Sequence, residues 1–155
     1  MQDLLAAATR ECDVAVISIC RYSNEGQDRA VKDDYYLTEN ESVMIDDVTK
    51  RFDKVVVVLN VGGVVDTSWF AENDKISAVL LGWQAGLEGG MAQADILLGD
   101  ACPSGKLTDT FAASYTDYPS SESFNESEEY VEYTEDIFVG YRYFCTVPEA
   151  HKKVV

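Results

Sequence analysis

Short apolar runs alternate with amphipathic stretches along this chain. Val14-Ala15-Val16-Ile17-Ser18-Ile19-Cys20 and Val55-Val56-Val57-Val58-Leu59 are rich in β-branched residues and nearly free of polar breaks. Such runs read as strands of a parallel sheet, buried on both faces. The pattern predicts strands over Asp13 to Cys20, Lys54 to Val61 and Ile76 to Leu81, and a fourth, at a sheet edge, over Ile137 to Phe144. The stretches between them read as helices. Ala6-Ala7-Ala8 suits one. Thr38 to Arg51 suits another, because Thr38 and Glu41 have the spacing of a capping box. Val64 to Phe70 starts a short helix. Glu88 to Leu98 forms a longer one, with Gly89, Gly90, Ala92 and Ala94 small enough for close packing. Strand alternating with helix predicts an α/β fold: a three-layer sandwich around a mostly parallel sheet.

Two segments interrupt the pattern. Ser114 to Glu132 holds Pro119, many serines and the carboxylates Glu122, Glu126, Glu128, Glu129 and Glu132, and reads as a solvated loop. It lacks the alternating oxygen ligands and turn glycine of a calcium loop. Pro148 to Val155 shows no clear element. A chain of 155 residues suits one core, so the expected organisation is a domain over 1–147 and a tail over 148–155.

The formal charge is −16, which repels phosphate backbones and anionic bilayers. Nucleic acid and membrane are therefore not expected partners, whereas a neutral ligand is indifferent to that field. No apolar stretch reaches the length of a membrane span, and residues 1–10 lack the features of a signal peptide. Cys12, Cys20, Cys102 and Cys145 form no C-x-x-C pair, so neither zinc nor dithiol redox chemistry is suggested. The four thiols are expected to be free, Cys20 buried at the end of its strand, and the compartment reducing and cytoplasmic. No metal or other cofactor is implied. No G-x-G-x-x-G follows the first strand, which disfavours a dinucleotide-binding domain. His151, the one histidine, lies in the tail, so no Ser/His or Cys/His hydrolase can be built from the core.

The densest chemistry is Arg21-Tyr22-Ser23-Asn24-Glu25-Gly26-Gln27-Asp28-Arg29, directly after the first strand. In open α/β sheets ligands bind where the chain leaves the carboxyl ends of strands. Glu25 lies between two arginines and beside a glycine that permits a sharp turn. From these residues alone, a catalytic acid and a solvated loop with local ion pairs both stand.

Three further motifs bear on that choice: 83–92 (WQAGLEGGMA), 99–110 (GDACPSGKLTDT) and 133–144 (YTEDIFVGYRYF). With the Glu25 segment, in this order and spacing, they resemble the C-terminal α/β domain of glycoside hydrolase family 3, from about Ala6 to about Thr146. That family includes β-glucosidases, β-xylosidases and β-N-acetylhexosaminidases. Ser23 to Arg29 resembles the family's S-G-E-G-x-D-R segment, which implies that Glu25 is the general acid/base. Asp28 and Arg29 are then loop supports. The resemblance implies retaining hydrolysis of a terminal sugar, which needs two carboxyl groups about 5 Å apart. The nucleophile of two-domain members is an aspartate on a separate barrel domain, which becomes the expected partner, with a β-glucoside-like carbohydrate as substrate. Nothing here resembles that barrel, nor the α/β domain's opening strand and helix, so an incomplete domain, inactive alone, is expected. Asn24, Thr108 and Asp136 replace the family's usual glycine, proline and glycine. The remaining motifs, with Trp69, Trp83 and the aromatics of 133–143, are read as turns and core packing. The alternative is a non-catalytic binding or interaction module that shares only the fold.

Overall fold

The structure is a computed structural model and describes residues 2–23, 26, 29–123 and 127–154. These residues divide into two compact units.

The first unit comprises Met1–Ser23, Leu37–Gly63 and Asn73–Lys106. It carries strands β1 (Val14–Cys20), β2 (Lys54–Asn60) and β3 (Ile76–Leu81), and helices α1 (Gln2–Glu11), α2 (Glu39–Thr49) and α4 (Gly89–Leu98). The strands form one parallel sheet in the order β1-β2-β3. β1 and β2 pair in unbroken register from Val14↔Lys54 to Cys20↔Asn60. The central strand is the core: Val55, Val57, Val58 and Leu59 are all buried. Each such side chain contributes about 1.5–3 kcal/mol relative to exposure. α2 adds Ile45 and Val48 and packs against β2. Its first turn is closed by the expected Thr38–Glu41 capping box. α4 ends at Gly99, whose φ of 85° provides the left-handed C-cap that side chains resist.

β1 departs from the expectation of a strand covered on both faces. Ile17 and Ile19 are buried, while Val14 and Val16 are 45% and 56% exposed. Side chains alternate along a strand, so Ser18 and Cys20 share the open side with Val14 and Val16. Cys20 is therefore exposed rather than buried, as are Cys12, Cys102 and Cys145, and all four are free thiols.

The second unit comprises Asn24–Tyr36, Val64–Glu72 and Leu107–Val155. It carries the short helices α3 (Ser68–Ala71) and α5 (Tyr141–Thr146) and 3₁₀ turns at Tyr115–Asp117 and Ala150–Lys153. Ala112, Phe144 and Ala150 form its buried centre, with Tyr118, Tyr143 and Val147 packed around them. The Tyr118 hydroxyl accepts from the Ala112 N–H at 3.0 Å and donates to the Thr110 carbonyl at 3.1 Å. Residues 114–121 are thus tied into packed structure instead of forming an open loop. Residues 148–154 also have structure. Ala112 bridges Val154 in antiparallel fashion, the Ala113 N–H donates to the Lys153 carbonyl at 2.7 Å, and the Lys153 ammonium meets Asp117 at 3.0 Å.

The expected fourth strand, Ile137 to Phe144, is not a strand. Residues 134–137 form turns, with the Asp136 N–H donating to the Tyr133 carbonyl and the Phe138 N–H to Glu135. Gly140, at φ 59°, breaks the extended run and α5 begins at Tyr141. The alternation of Ile137, Val139 and Tyr141 is real, but Gly140 redirects the backbone before it can extend. Phe144 and Tyr143 then pack as helical neighbours of the Ala112 centre, whereas Tyr133 and Tyr141, expected in a core, are 88% and 63% exposed.

Asp136 has φ 49°, the left-handed region that suits the glycine usual in the resembled segment. A side chain costs roughly 1–2 kcal/mol there, and glycine returns about half of that through its own chain entropy. Asp136→Gly should therefore raise stability by about 0.5–1 kcal/mol, and Asp136→Val should lower it by about 1–2 kcal/mol. Urea denaturation of the chain measures both.

Candidate active-site edge

The carboxyl end of the sheet is where β1, β2 and β3 pass into their following segments, at Arg21, Val61 and Gly82. The ladder runs slightly past the strands: the Arg21 N–H donates to the Asn60 carbonyl at 3.0 Å, and the Gly82 N–H to Leu59 at 2.9 Å. Beyond it the three segments converge on Gly62. A Cβ at Gly62 would lie 2.3 Å from Ser23 Cβ and 3.0 Å from Gln84 Cδ. Only glycine leaves room for the chain to carry Ser23 at this place. Gly82 is less restricted: the atom nearest to where its Cβ would be, at 2.5 Å, is the Gln93 amide nitrogen, the movable end of a flexible side chain. In the 83–92 motif close approach exists at Gly89, against Ala85 Cβ, but not at Gly86 or Gly90, which meet nothing within 4 Å.

Arg21 is the first residue beyond β1. Its guanidinium is forked onto Glu41, Nη1 to Oε1 and Nη2 to Oε2, both at 2.8 Å. Nη1 also donates to the Cys20 carbonyl at 2.8 Å. The Arg21 side chain is 8% exposed, so this pair is largely removed from solvent. Glu41 meanwhile accepts from the Thr38 N–H at 2.8 Å and the Thr38 hydroxyl at 2.9 Å, and its own N–H donates back to that hydroxyl at 3.2 Å. One carboxylate therefore caps α2 and holds the end of β1. Burial raises the carboxyl's pKa, but the hydrogen bonds from Arg21 and Thr38, together with the Arg21 charge, outweigh it. The net result is a Glu41 pKa below its ordinary value of 4.5.

Of the sequence-predicted site residues, Glu25 and Asp28 lie outside the described residues, as does Asn24. Gly26 is exposed with φ 75°, a conformation that favours glycine. Arg29 is described. Its Nε and Nη2 both reach Asp34 Oδ1, at 3.0 and 2.8 Å. Nη2 also donates to the Asp34 carbonyl at 3.0 Å, and Nη1 to the Val64 carbonyl at 2.7 Å. The turn it braces, residues 31–35, contains Asp33 at φ 64° and is closed by the Tyr35 N–H on the Ala30 carbonyl and the Tyr36 N–H on Val31. Tyr35 is buried, its ring edge-on to Tyr36 and Tyr115.

Trp69 and Trp83 are half-buried. Trp69 donates its indole N–H to the Asp66 carbonyl at 2.9 Å and meets Phe70 edge-on. Among the described residues no group of His, Cys, Asp and Glu could hold a metal ion, and no helix is long and apolar enough to cross a membrane.

Sequence reasoning did not single out Asp34 or Gly62, took Arg21 only as a charge flanking Glu25, and read Glu41 only as a cap. The T-x-x-E spacing reveals the cap, but nothing local reveals that the same carboxylate is also the partner of an arginine twenty positions earlier.

The parallel sheet, with a glycine-dependent, arginine-braced segment at its carboxyl edge, defines an α/β domain. Comparison with known proteins identifies its family. Residues 1–141 match the model of the glycosyl hydrolase family 3 C-terminal domain, and the chain belongs to that family. It is 51% identical to Beta-glucosidase A of Butyrivibrio fibrisolvens, over 99% of this chain and 21% of that protein. It is 42% identical to a Beta-glucosidase of Ruminococcus albus, over 92% of this chain and 15% of that protein. The crystal structure of a β-glucosidase from Paenibacillus barengoltzii superposes with a TM-score of 0.92 at 42% identity, covering 100% of this chain and 17% of that one. That of a Kluyveromyces marxianus β-glucosidase in complex with glucose gives 0.82 at 31% identity, covering 99% and 18%. The chain thus spans about a fifth or less of the length of these relatives, and its open parallel sheet is a partial family 3 α/β sandwich.

The Glu41 geometry sets a pH dependence. A depressed folded-state pKa means that the unfolded chain binds the extra proton first, so the contribution to stability is full above the ordinary value. It is lost as pH falls from about 4.5 through the lower folded value. Glu41→Gln should therefore lower the thermal midpoint at pH 7. The gap to the native chain should narrow as pH drops below about 4.5, as measured by melting both proteins across that range.

Proposed function

We propose that this chain is the acid/base-bearing domain of a retaining β-glucosidase that hydrolyses terminal O-glycosyl bonds. The observation that supports the reading is the place of Ser23, where the resembled motif begins. Ser23 lies just past the parallel strand β1, against Gly62 at the carboxyl edge of the sheet, in a family 3 chain that is 51% and 42% identical to two proteins named as β-glucosidases. Glu25 is the general acid/base, and Asp28 and Arg29 support its loop.

The chemistry follows the two-step retaining route. Glu25, protonated, gives its proton to the leaving glycosidic oxygen while a carboxylate on a second domain attacks the anomeric carbon. The aglycone departs and a glycosyl–carboxylate ester remains. Glu25, now ionised, takes a proton from water, whose oxygen attacks the same carbon and releases the sugar with retained configuration. The carboxyl must cycle between both forms, which suits a glutamate whose neighbour is alternately charged and esterified. The nucleophile belongs to a barrel domain, the partner of this chain, and the substrate is a β-glucoside. The enzyme works in the cytoplasm, without nucleic-acid or membrane partners and without a cofactor.

The test is a chimera in which these residues replace the matching segment of the Butyrivibrio fibrisolvens Beta-glucosidase A. The chimera should hydrolyse aryl β-glucosides, and the isolated chain should not. In the chimera Glu25→Gln should lower kcat/KM for phenyl glucoside by about 10²–10⁴-fold, the usual worth of general acid catalysis. Dinitrophenyl glucoside, whose leaving group needs no proton, should change little. Equal losses on both substrates, or none, would remove Glu25 from the role, and turnover by the chain alone would refute the need for a second domain.

A further inference from the structure

We infer that Arg21 and Glu41 are positioning residues for the acid/base step, acting through the stem of the loop that carries Glu25, with Gly62 as the seat of that stem. The inference rests on Glu25 being the acid/base and goes beyond it by naming residues outside the Ser23–Arg29 motif that control it.

The geometry is specific. Arg21 is four residues before Glu25 in the sequence, and regular structure holds it at three points. Its N–H continues the β1–β2 ladder onto Asn60, its guanidinium closes on its own strand end at the Cys20 carbonyl, and its two terminal nitrogens grip both oxygens of Glu41. Glu41 cannot swing away with it, because Thr38 holds the same carboxylate at the first turn of α2. Two residues further on, Ser23 lies against Gly62, where a methyl group would stand 2.3 Å from Ser23 Cβ. The last described residues before Glu25 are therefore fixed by charge on one side and by backbone contact on the other. A planar two-point fork fixes direction as well as distance, which a lysine cannot reproduce.

Positioning matters here because proton donation demands hydrogen-bond reach to the leaving oxygen. Misplacement by about 1 Å can cost on the order of 10²-fold. Such loss falls on the proton-dependent step and so depends on the leaving group, which a general loss of folded protein does not.

The experiment measures kcat/KM in the same chimera for phenyl and dinitrophenyl β-glucosides, with Arg21→Lys, Glu41→Gln, Gly62→Ala and, as reference, Glu25→Gln. Thermal midpoints are recorded alongside. The expected result is a loss of about 10–100-fold on phenyl glucoside for each of the three positioning variants. The loss on dinitrophenyl glucoside should be less than about threefold, because that departure needs no proton. The basic limb of the pH–rate profile, set by loss of the acid's proton, should shift in Arg21→Lys and Glu41→Gln. If Gly62→Ala fails to fold, Glu41→Gln, which keeps the shape of the carboxylate, carries the test. Equal losses on both substrates, or activity unchanged, in Arg21→Lys and Glu41→Gln while Glu25→Gln discriminates between the substrates would overturn the positioning role alone. A Glu25→Gln variant that fails to discriminate would instead overturn the acid/base reading on which it rests.

Discussion

The Glu41 carboxylate is the point on which the carboxyl edge of the sheet depends. Its oxygens receive both terminal nitrogens of Arg21, the backbone N–H of Thr38 and the Thr38 hydroxyl. A capping box normally satisfies the orphan donors of one helix. Here the same group also neutralises an arginine at the end of β1 that is almost wholly withdrawn from water. Losing either partner strands the other charge, and such losses are costly because the desolvation has already occurred. Sheet and helix are consequently fixed to each other at the carboxyl edge.

Much of this architecture was legible in the sequence. β2 could be read because Val55 to Leu59 has no polar break, and its burial on both faces followed from its central place. The start of α2 could be read because Thr38 and Glu41 have a spacing with one physical meaning. The 137–144 segment misled because alternating apolar residues satisfy strand periodicity whether or not a neighbouring strand exists, and the backbone turn at Gly140 decided otherwise. Cys20 misled for a related reason. An apolar run does not say which strand is at the edge, and among the described residues only β2 is flanked by strands on both sides.

The candidate site was legible in part. The Glu25 segment stands out as polar residues after an apolar strand, and its likeness to the family motif supplied the roles. What the chain could not display is distance across the fold: Arg29 reaching Val64, Arg21 reaching Glu41, and Ser23 seated on Gly62. Asp136 illustrates the converse. Asp136 stands where the resembled segment usually has glycine, and the backbone keeps the left-handed turn there with aspartate in place.

In the proposed function this domain delivers a carboxyl to a nucleophile held elsewhere in the enzyme. The most direct measurement is a crystal structure of the chimera with the Butyrivibrio fibrisolvens enzyme, trapped as its glycosyl intermediate with a 2-fluoro-glucoside. The expected result is a glycosyl ester on a carboxylate outside these residues, the Arg21–Glu41 fork intact, and the Glu25 carboxyl about 5–5.5 Å from that nucleophile, as retention requires. A Glu25 carboxyl more than about 6.5 Å from the nucleophile, or another acid in its place beside the glycosidic oxygen, would contradict it.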